Sequence, residues 1–345
     1  MRIAVTSVQV PFMRGGAEIM AEQLIQALIR GGHTAELITM PFRFAPLSAV
    51  RQTMDTWAVE DFSRFDCGQI DRAICLKFPS YYLHHPNKVV WLMHQHRSVY
   101  ELFNTRYGES GETSGANEFR EEVMQRDTAA LKTARAVFTI SSRVSERLQD
   151  FNGISSQPIH QPPANAELLH CADQLDYIFF PSRLETLKRQ ELLIRAMAHC
   201  RAPVAAIIAG DGGARADLQQ LIRELKVEDR VRLIGRIDDK EMRTWYAHAL
   251  GVFFGPYDED YGFITLEAML SSKPVITCTD SGGPLDFVLD EETGLVVAPD
   301  PTSVADAIEY LYENKRRAKE MGLAGRDRYR SLDISWDRVV EKLLA

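Results

Sequence analysis

The chain has 345 residues, 45% hydrophobic and 26% charged, which is ordinary for a soluble protein and too long for one comfortable core. A formal net charge of −8 excludes nucleic-acid binding by bulk electrostatics. No apolar run approaches the roughly 20 residues needed to span a bilayer, and the five cysteines (Cys67, Cys75, Cys171, Cys200, Cys278) form neither a CxxC pair nor a metal-ligand cluster. An odd, scattered set of thiols fits a reducing compartment. The opening MRIAVTSV reads as a strand without signal-peptide flanks. The expected location is cytoplasmic, with a peripheral contact at the inner face of a membrane left open.

In chain order, Ile3 to Val8 reads as a buried parallel strand. Gly15-Gly16 then precede a helix from about Ala17 to Arg30, with Ile19, Leu24, Ala27 and Leu28 on its apolar face. Gly31-Gly32 end it, and Ala35 to Thr39 is the next strand. Strand, Gly-rich loop, helix and strand open a doubly wound sheet, whose ligands bind beyond the carboxyl ends of the strands. Gly15-Gly16 are not a G-x-G-x-x-G fingerprint, so a nicotinamide cofactor is disfavoured. On its own, GG before a helix is better explained by a tight turn without a ligand. Asp71 to Lys77 and Lys88 to Met93 are further strands, the second running into His94-Gln95-His96-Arg97. Two His at i, i+2 without a nearby Cys or carboxylate lack the usual metal spacing. Either a surface loop or a site at the strand end fits them.

Residues 104–117, rich in Gly and Ser/Thr, read as a long mobile loop suited to acceptor contact rather than core. A helix from Glu118 to Thr133, the strand Ala136 to Ile140 and a helix capped by Ser141-Ser142 and running to Leu148 follow. Residues 152–164 (NGISSQPIHQPPA) read as a linker. That places the domains at 1–157 and 158–334.

The second half opens with the strand Tyr177 to Phe180, followed by Pro181 to Lys188 and a helix. Arg183 and Lys188 put two cations at a strand end. They suit the charge of a nucleoside diphosphate, although ordinary solvated cations also satisfy the pattern. The strand Val204 to Ala209 leads into the turn Gly210 to Gly213. A helix over Arg215 to Leu225, a strand over Val231 to Gly235 and a helix over Asp239 to Ala249 come next.

The most informative stretch is Gly251 to Cys278: a strand, an acidic loop turned by Gly262, a helix from Phe263 and the strand Val275 to Cys278. The amides of Gly262, Phe263 and Ile264 at the helix start suit a phosphate. Glu259 lies before the helix and Glu267 about one turn inside it. Like charge keeps Glu267 off the phosphate, but it can accept hydrogen bonds from a ribose diol, and Glu259 from a polyol on the other side. From spacing alone, a solvated loop acid and an ordinary first-turn acid fit equally well. After Asp280 to Gly283 come a last strand, Gly294 to Ala298, and helical sequence from Ser303 with interruptions at Gly322 and Gly325. Lys315, Arg316, Arg317 and Lys319 read as a solvated basic face. Ser335 to Leu344 closes the chain as an amphipathic helix with Trp336, Val339, Val340 and Leu343.

Glu259 and Glu267 in E-x7-E spacing, with Gly262 between and EAM at the end, resemble the signature of retaining glycosyltransferase family 4. So do GGAE at residues 15–18, R-L-x-x-x-K at Arg183 to Lys188, and Asp280 to Gly283. The resemblance is strongest from Arg183 to Gly283 and weaker in the first half. One departure is Tyr261-Gly262-Phe263-Ile264-Thr265 in place of a Phe-Gly-Leu-Pro core; Thr265 gives up some first-turn rigidity without removing a ligand.

The resemblance implies an α/β GT-B fold, two Rossmann-like doubly wound domains facing a central cleft, with residues 335–345 packing back onto the first domain. It also implies retaining, metal-independent transfer of a hexosyl unit from a UDP-sugar or GDP-sugar, with no cofactor. The acceptor would be a saccharide or a lipid-linked saccharide in surface polysaccharide or glycoconjugate synthesis. Carried onto this chain, Arg183 and Lys188 are the phosphate pair, Glu259 and His94 contact the donor sugar, and Glu267 the ribose. Gly16, Gly210, Gly262, Phe263 and Ile264 approach the donor. His96 and Arg97 are secondary candidates, and Asp280 to Gly283 shape the pocket floor. A nucleotide-sugar epimerase of similar fold and a non-catalytic nucleotide-sugar binding protein are the competing readings. The first lacks a clear second carboxylate; the second could dispense with His94.

Overall fold

The computed structural model describes residues 1–66 and 68–345; Cys67 lies outside the described residues. The chain divides into two compact units, residues 1–164 with 335–345, and residues 165–334.

The first unit begins with β1 (Arg2–Gln9), α1 (Gly16–Arg30), β2 (Thr34–Pro41) and α2 (Leu47–Val59). The sequence reading passed over α2, although Val50, Met54 and Trp57 recur at helical spacing and are its buried residues. A two-residue-per-strand hairpin, β3 (Arg64–Phe65) and β4 (Gly68–Gln69), leads to β5 (Arg72–Cys75) and β6 (Lys88–Leu92). Then come α3 (Ala116–Lys132), β7 (Ala136–Thr139), α4 (Ser142–Asn152) and β8 (Gln157–Pro158). The six main strands are parallel in the order β2-β1-β5-β6-β7-β8. β6 is buried along its whole length, as expected of a strand covered on both faces.

The linker expectation is corrected by the structure. The region expected as a linker is partly regular structure: α4 runs to Asn152, and Gln157–Pro158 pairs with β7. Pro158 is tolerated because β8 is the edge strand, where a missing amide donor costs little. Residues 104–117 are organised by Asn104, whose amide donates to the Glu109 carbonyl at 2.8 Å and whose Oδ1 accepts from the Gly111 amide at 2.6 Å.

The second unit contains β9 (Tyr177–Pro181), α5 (Gln190–His199), β10 (Ala205–Ala209), α6 (Arg215–Leu225), β11 (Val231–Gly235) and α7 (Asp239–His248). β12 (Gly251–Phe253), α8 (Phe263–Leu270), β13 (Val275–Cys278), β14 (Gly294–Val297), α9 (Pro301–Glu313) and α10 (Lys315–Ser331) complete it. Its parallel sheet has the order β11-β10-β9-β12-β13-β14. The order reverses between β9 and β12, and ligands of open α/β sheets bind at the carboxyl ends of the strands beside such a switch point. Gly322 and Gly325 do not interrupt α10; both are buried inside it.

α11 (Trp336–Leu344), capped by the Ser335 hydroxyl, belongs to the first unit. Val339 and Leu343 are fully buried, Trp336 meets Trp91 of β6 edge-on at 6.2 Å, and Arg72 donates to the Leu343 carbonyl at 2.6 Å.

Candidate functional site

At the carboxyl end of β12 the chain passes through 254–262 and enters α8. Gly262 is the residue before the helix, at φ 92 and ψ 64, and is buried. A side chain there would be strained in the left-handed region and would meet Phe254 and Pro284, each at 3.0 Å. No side chain caps α8, so the first-turn amides of Phe263 and Ile264, both half-buried, keep the positive end of the helix open to an anion. The start of α1 differs: Glu18 Oε2 accepts from the Gly15 amide at 2.8 Å, and Glu18 also faces Lys77 at 3.7 Å. A carboxylate therefore stands beside exposed Gly16, a poorer place for a phosphate than the start of α8.

Glu267 lies on α8 and takes a hydrogen bond of 2.6 Å from the Tyr246 hydroxyl of α7. Burial pushes its carboxyl above the ordinary range, opposed by that hydrogen bond. One oxygen is oriented by the protein, and the other remains to accept from a ligand hydroxyl. Tyr246 itself is fully buried. The sequence reading missed it, because nothing in the spacing ties a helix residue twenty-one positions upstream to Glu267.

Lys188 Nζ lies 2.7 Å from both carboxylate oxygens of Glu259, each side chain 18% exposed, and 5.7 Å from the centre of the Phe254 ring. Two residues read separately, as a phosphate cation and a sugar-binding acid, are thus one ion pair. The Glu259 backbone is fixed as well, its amide donating to Ser281 O at 2.9 Å and its carbonyl accepting from Gly283 at 2.7 Å. Asp280 to Gly283 therefore support this loop. Arg183, just beyond β9, is exposed, and its guanidinium has no partner among the described residues.

The cation that sequence reasoning did not single out is Arg189. It is 7% exposed and adopts φ 54, ψ 44. A non-glycine residue in that region costs roughly 1–2 kcal/mol. Its guanidinium donates to the carbonyls of Gly255 and Pro256 at 2.8 and 2.7 Å and to both oxygens of Asp280 at 2.9 and 2.7 Å. Charge-assisted bidentate bonds of this kind oppose the backbone cost. A basic run LKR in the sequence shows three polar positions, not which one turns inward. Gly210, at φ +134, is explained by the backbone: a Cβ there would sit 1.9 Å from Ser182 O.

His94 is in the first unit, half-buried after β6, its Nδ1 2.7 Å from the Gln95 carbonyl. Buried Gln95 anchors this loop by donating to Asn152 Oδ1 at 2.9 Å. His96 is buried against Phe78, stacked at 4.9 Å, with Phe42 edge-on, and burial together with His94 pushes it down to about 4. It is a neutral core histidine. Arg97 pairs with Glu101. Among the described residues no group of three or more His, Cys, Asp or Glu is arranged to hold a metal ion, and no helix is long and apolar enough to cross a membrane.

Residues 170–328, a segment containing Arg183, Lys188, Arg189, Tyr246, Glu259 and Glu267, match the family profile described as glycosyl transferases group 1. The chain is similar to the D-inositol 3-phosphate glycosyltransferase of Corynebacterium diphtheriae, 31% identical over 174 residues, covering 48% of this chain and 40% of the relative. It is also similar to the alpha-1,3/1,6-mannosyltransferase ALG2 of Mus musculus, 30% identical over 112 residues, covering 32% and 27%. The chain thus spans about two fifths or less of the length of these curated relatives. Among solved structures, sucrose-phosphate synthase from Thermosynechococcus elongatus superposes with a TM-score of 0.79 at 20% identity, covering 99% of this chain and 97% of the other. HepE of Anabaena, in complex with UDP-glucose, gives 0.73 at 18% identity, covering 100% and 98%. At these identities the likeness concerns the fold, which is GT-B.

Proposed function

We propose, from the membership of residues 170–328 in the glycosyl transferases group 1 family, that the chain transfers a hexosyl unit from a nucleoside diphosphate sugar to a saccharide acceptor. The observation that carries this reading is the surroundings of the α8 start. An uncapped helix end has Glu259 on the loop before it, paired with Lys188 from beyond β9, and the Tyr246-held Glu267 one turn inside.

The chemistry follows from those positions. A diphosphate at the α8 amides meets the positive helix end and the cations Lys188 and Arg183, which stabilise it as a leaving group. Lys188 has three N–H donors, enough to keep Glu259 and still reach a phosphate oxygen. Glu259, held by Lys188, accepts from the sugar hydroxyls, and Glu267 from the ribose. The bond between the anomeric carbon and the phosphate oxygen breaks, and its electron pair leaves with the diphosphate. The acceptor oxygen bonds to that carbon from the same face, and its proton passes to a departing phosphate oxygen, so configuration is retained. Protein cations and amides carry the leaving-group charge in this scheme without a metal. His94 is assigned to the donor sugar, and Gly16 and Gly210 to the approach of the donor.

The HepE complex makes UDP-glucose the first donor to test, with GDP-sugars alongside. A lipid-linked saccharide in surface polysaccharide synthesis, met at the inner face of a membrane by a cytoplasmic enzyme, is the acceptor class proposed. A donor at a hundred times its dissociation constant adds about 2.7 kcal/mol to stability, readable as a thermal shift. Glu267→Ala and Lys188→Ala are expected to lower transfer by about 100-fold or more with the fold intact. Wild-type rates in both, measured as product per enzyme per second, would sink the assignment.

A further inference from the structure

Lys188 is followed directly by a residue in the left-handed region, Arg189. The chain therefore reverses immediately after the proposed phosphate cation. Glycine takes that conformation without strain, so the presence of arginine is explained by what its side chain holds. Its Nε and Nη2 take the carbonyls of Gly255 and Pro256, on the loop that carries Glu259. Its Nη1 and Nη2 take both oxygens of Asp280, on the loop that supports Glu259 from the other side. Backbone bonds add to the set: Tyr257 N to Leu187 O at 2.8 Å and Asp258 N to Asp280 O at 2.9 Å, beside those of Glu259 with Ser281 and Gly283. Arg189 is thus a side chain bonded to both loops that frame the Lys188–Glu259 pair. At 8% side-chain exposure it offers a ligand little surface.

We infer that Arg189 and Asp280 form a positioning pair, a buried latch that sets Lys188 against Glu259 and holds both for the diphosphate and the sugar. This rests on the donor reading given under Proposed function. The planar guanidinium fork fixes direction as well as distance. An ammonium at the same place supplies charge without the parallel bonds to Asp280. A misplacement of about 1 Å in such a site costs on the order of 100-fold in rate.

The test uses the full chain and three variants: Arg189→Gly, which suits the backbone, Arg189→Lys, which keeps the charge, and Asp280→Asn, which keeps the shape. Donor kcat/KM is measured well below each melting temperature, and calorimetry compares binding of the nucleoside diphosphate with binding of the nucleoside alone. All three variants are expected to lose about 100-fold in kcat/KM. Their diphosphate affinity weakens, while nucleoside affinity, carried by Glu267, is unchanged. Combining Arg189→Gly with Asp280→Asn adds no further loss, because one latch is already open. Should Arg189→Gly fail to fold, Asp280→Asn carries the comparison. Lower melting temperatures with unchanged kcat/KM and unchanged diphosphate affinity mean a purely structural pair and overturn the inference while the donor reading stands. Full activity in Arg189→Lys likewise overturns it. A wild-type chain that binds no nucleoside diphosphate overturns the donor reading, and this inference with it.

Discussion

Asp127 and His96 are both buried in the first unit and pull its stability in opposite directions with pH. Asp127, fully buried on α3, accepts from Tyr82 and Tyr100 at 2.7 Å each, and burial pushes its carboxyl up to about 6. Between about pH 4 and 6 the folded chain keeps this proton while the unfolded chain has lost it. The group therefore favours folding at the acid end, and that contribution disappears as pH rises through 6. His96, held down to about 4, is neutral in the fold, whereas the unfolded chain takes up a proton below about 6.5. Its contribution is therefore lost as pH falls from 6.5 towards 4. Each effect is worth about 3 kcal/mol, so in the wild type they nearly cancel. Urea melts at pH 4, 5 and 6 are expected to separate them. Asp127→Asn gains about 3 kcal/mol relative to wild type from pH 4 to 6, and His96→Phe loses about as much over the same interval. A difference from wild type that does not change with pH would contradict both assignments.

At the scale of elements, α8 carries Glu267 and is backed by α10, and the contact depends on a glycine. A Cβ on Gly322 would lie 2.1 Å from the Ser272 carbonyl oxygen, in the turn that ends α8. A Cβ on Gly325 would meet Met269 Cγ at 3.4 Å and Met269 Cβ and Thr293 Cβ at 3.8 Å, all ordinary contacts. Helix propensity alone predicts that either Gly→Ala change stabilises by up to about 1 kcal/mol. The overlap at Gly322 outweighs that gain. Gly322→Ala is expected to destabilise by about 1–3 kcal/mol, whereas Gly325→Ala is neutral or stabilising by up to about 1 kcal/mol. Thermal melts of the two variants check the opposite signs; equal shifts would mean that α10 can move off the Ser272 turn at no cost.

For the whole molecule, the last helix belongs with the first residues: α11 buries Val339 and Leu343 in the first unit, after the chain has completed the second. Leu343→Ala is therefore expected to cost about 2–5 kcal/mol, and the loss should be local. Hydrogen exchange is expected to rise in β1, β5 and β6 and to stay unchanged in β9 through β14. Faster exchange in the second sheet instead would show that α11 stabilises the wrong unit for this account.

Periodicity and punctuation carried much of this protein. Arg215–Leu225, Val231–Gly235 and Val275–Cys278 fold with the predicted ends, because apolar spacing reports which face an element must bury. The open start of α8 was legible for the same reason, since Gly262 marks the turn and the apolar residues behind it mark the helix. Gly322 and Gly325 misled the reading, because a glycine in a helical pattern signals equally a break and a close approach of backbone. Tertiary structure alone decided which polar and charged groups face each other. Lys188 with Glu259, Arg189 with Asp280 and Tyr246 with Glu267 are pairs separated by 71, 91 and 21 positions. Sequence spacing sets neighbours within a turn or a strand, but a pairing across loops exists only once the sheet has brought its strand ends together.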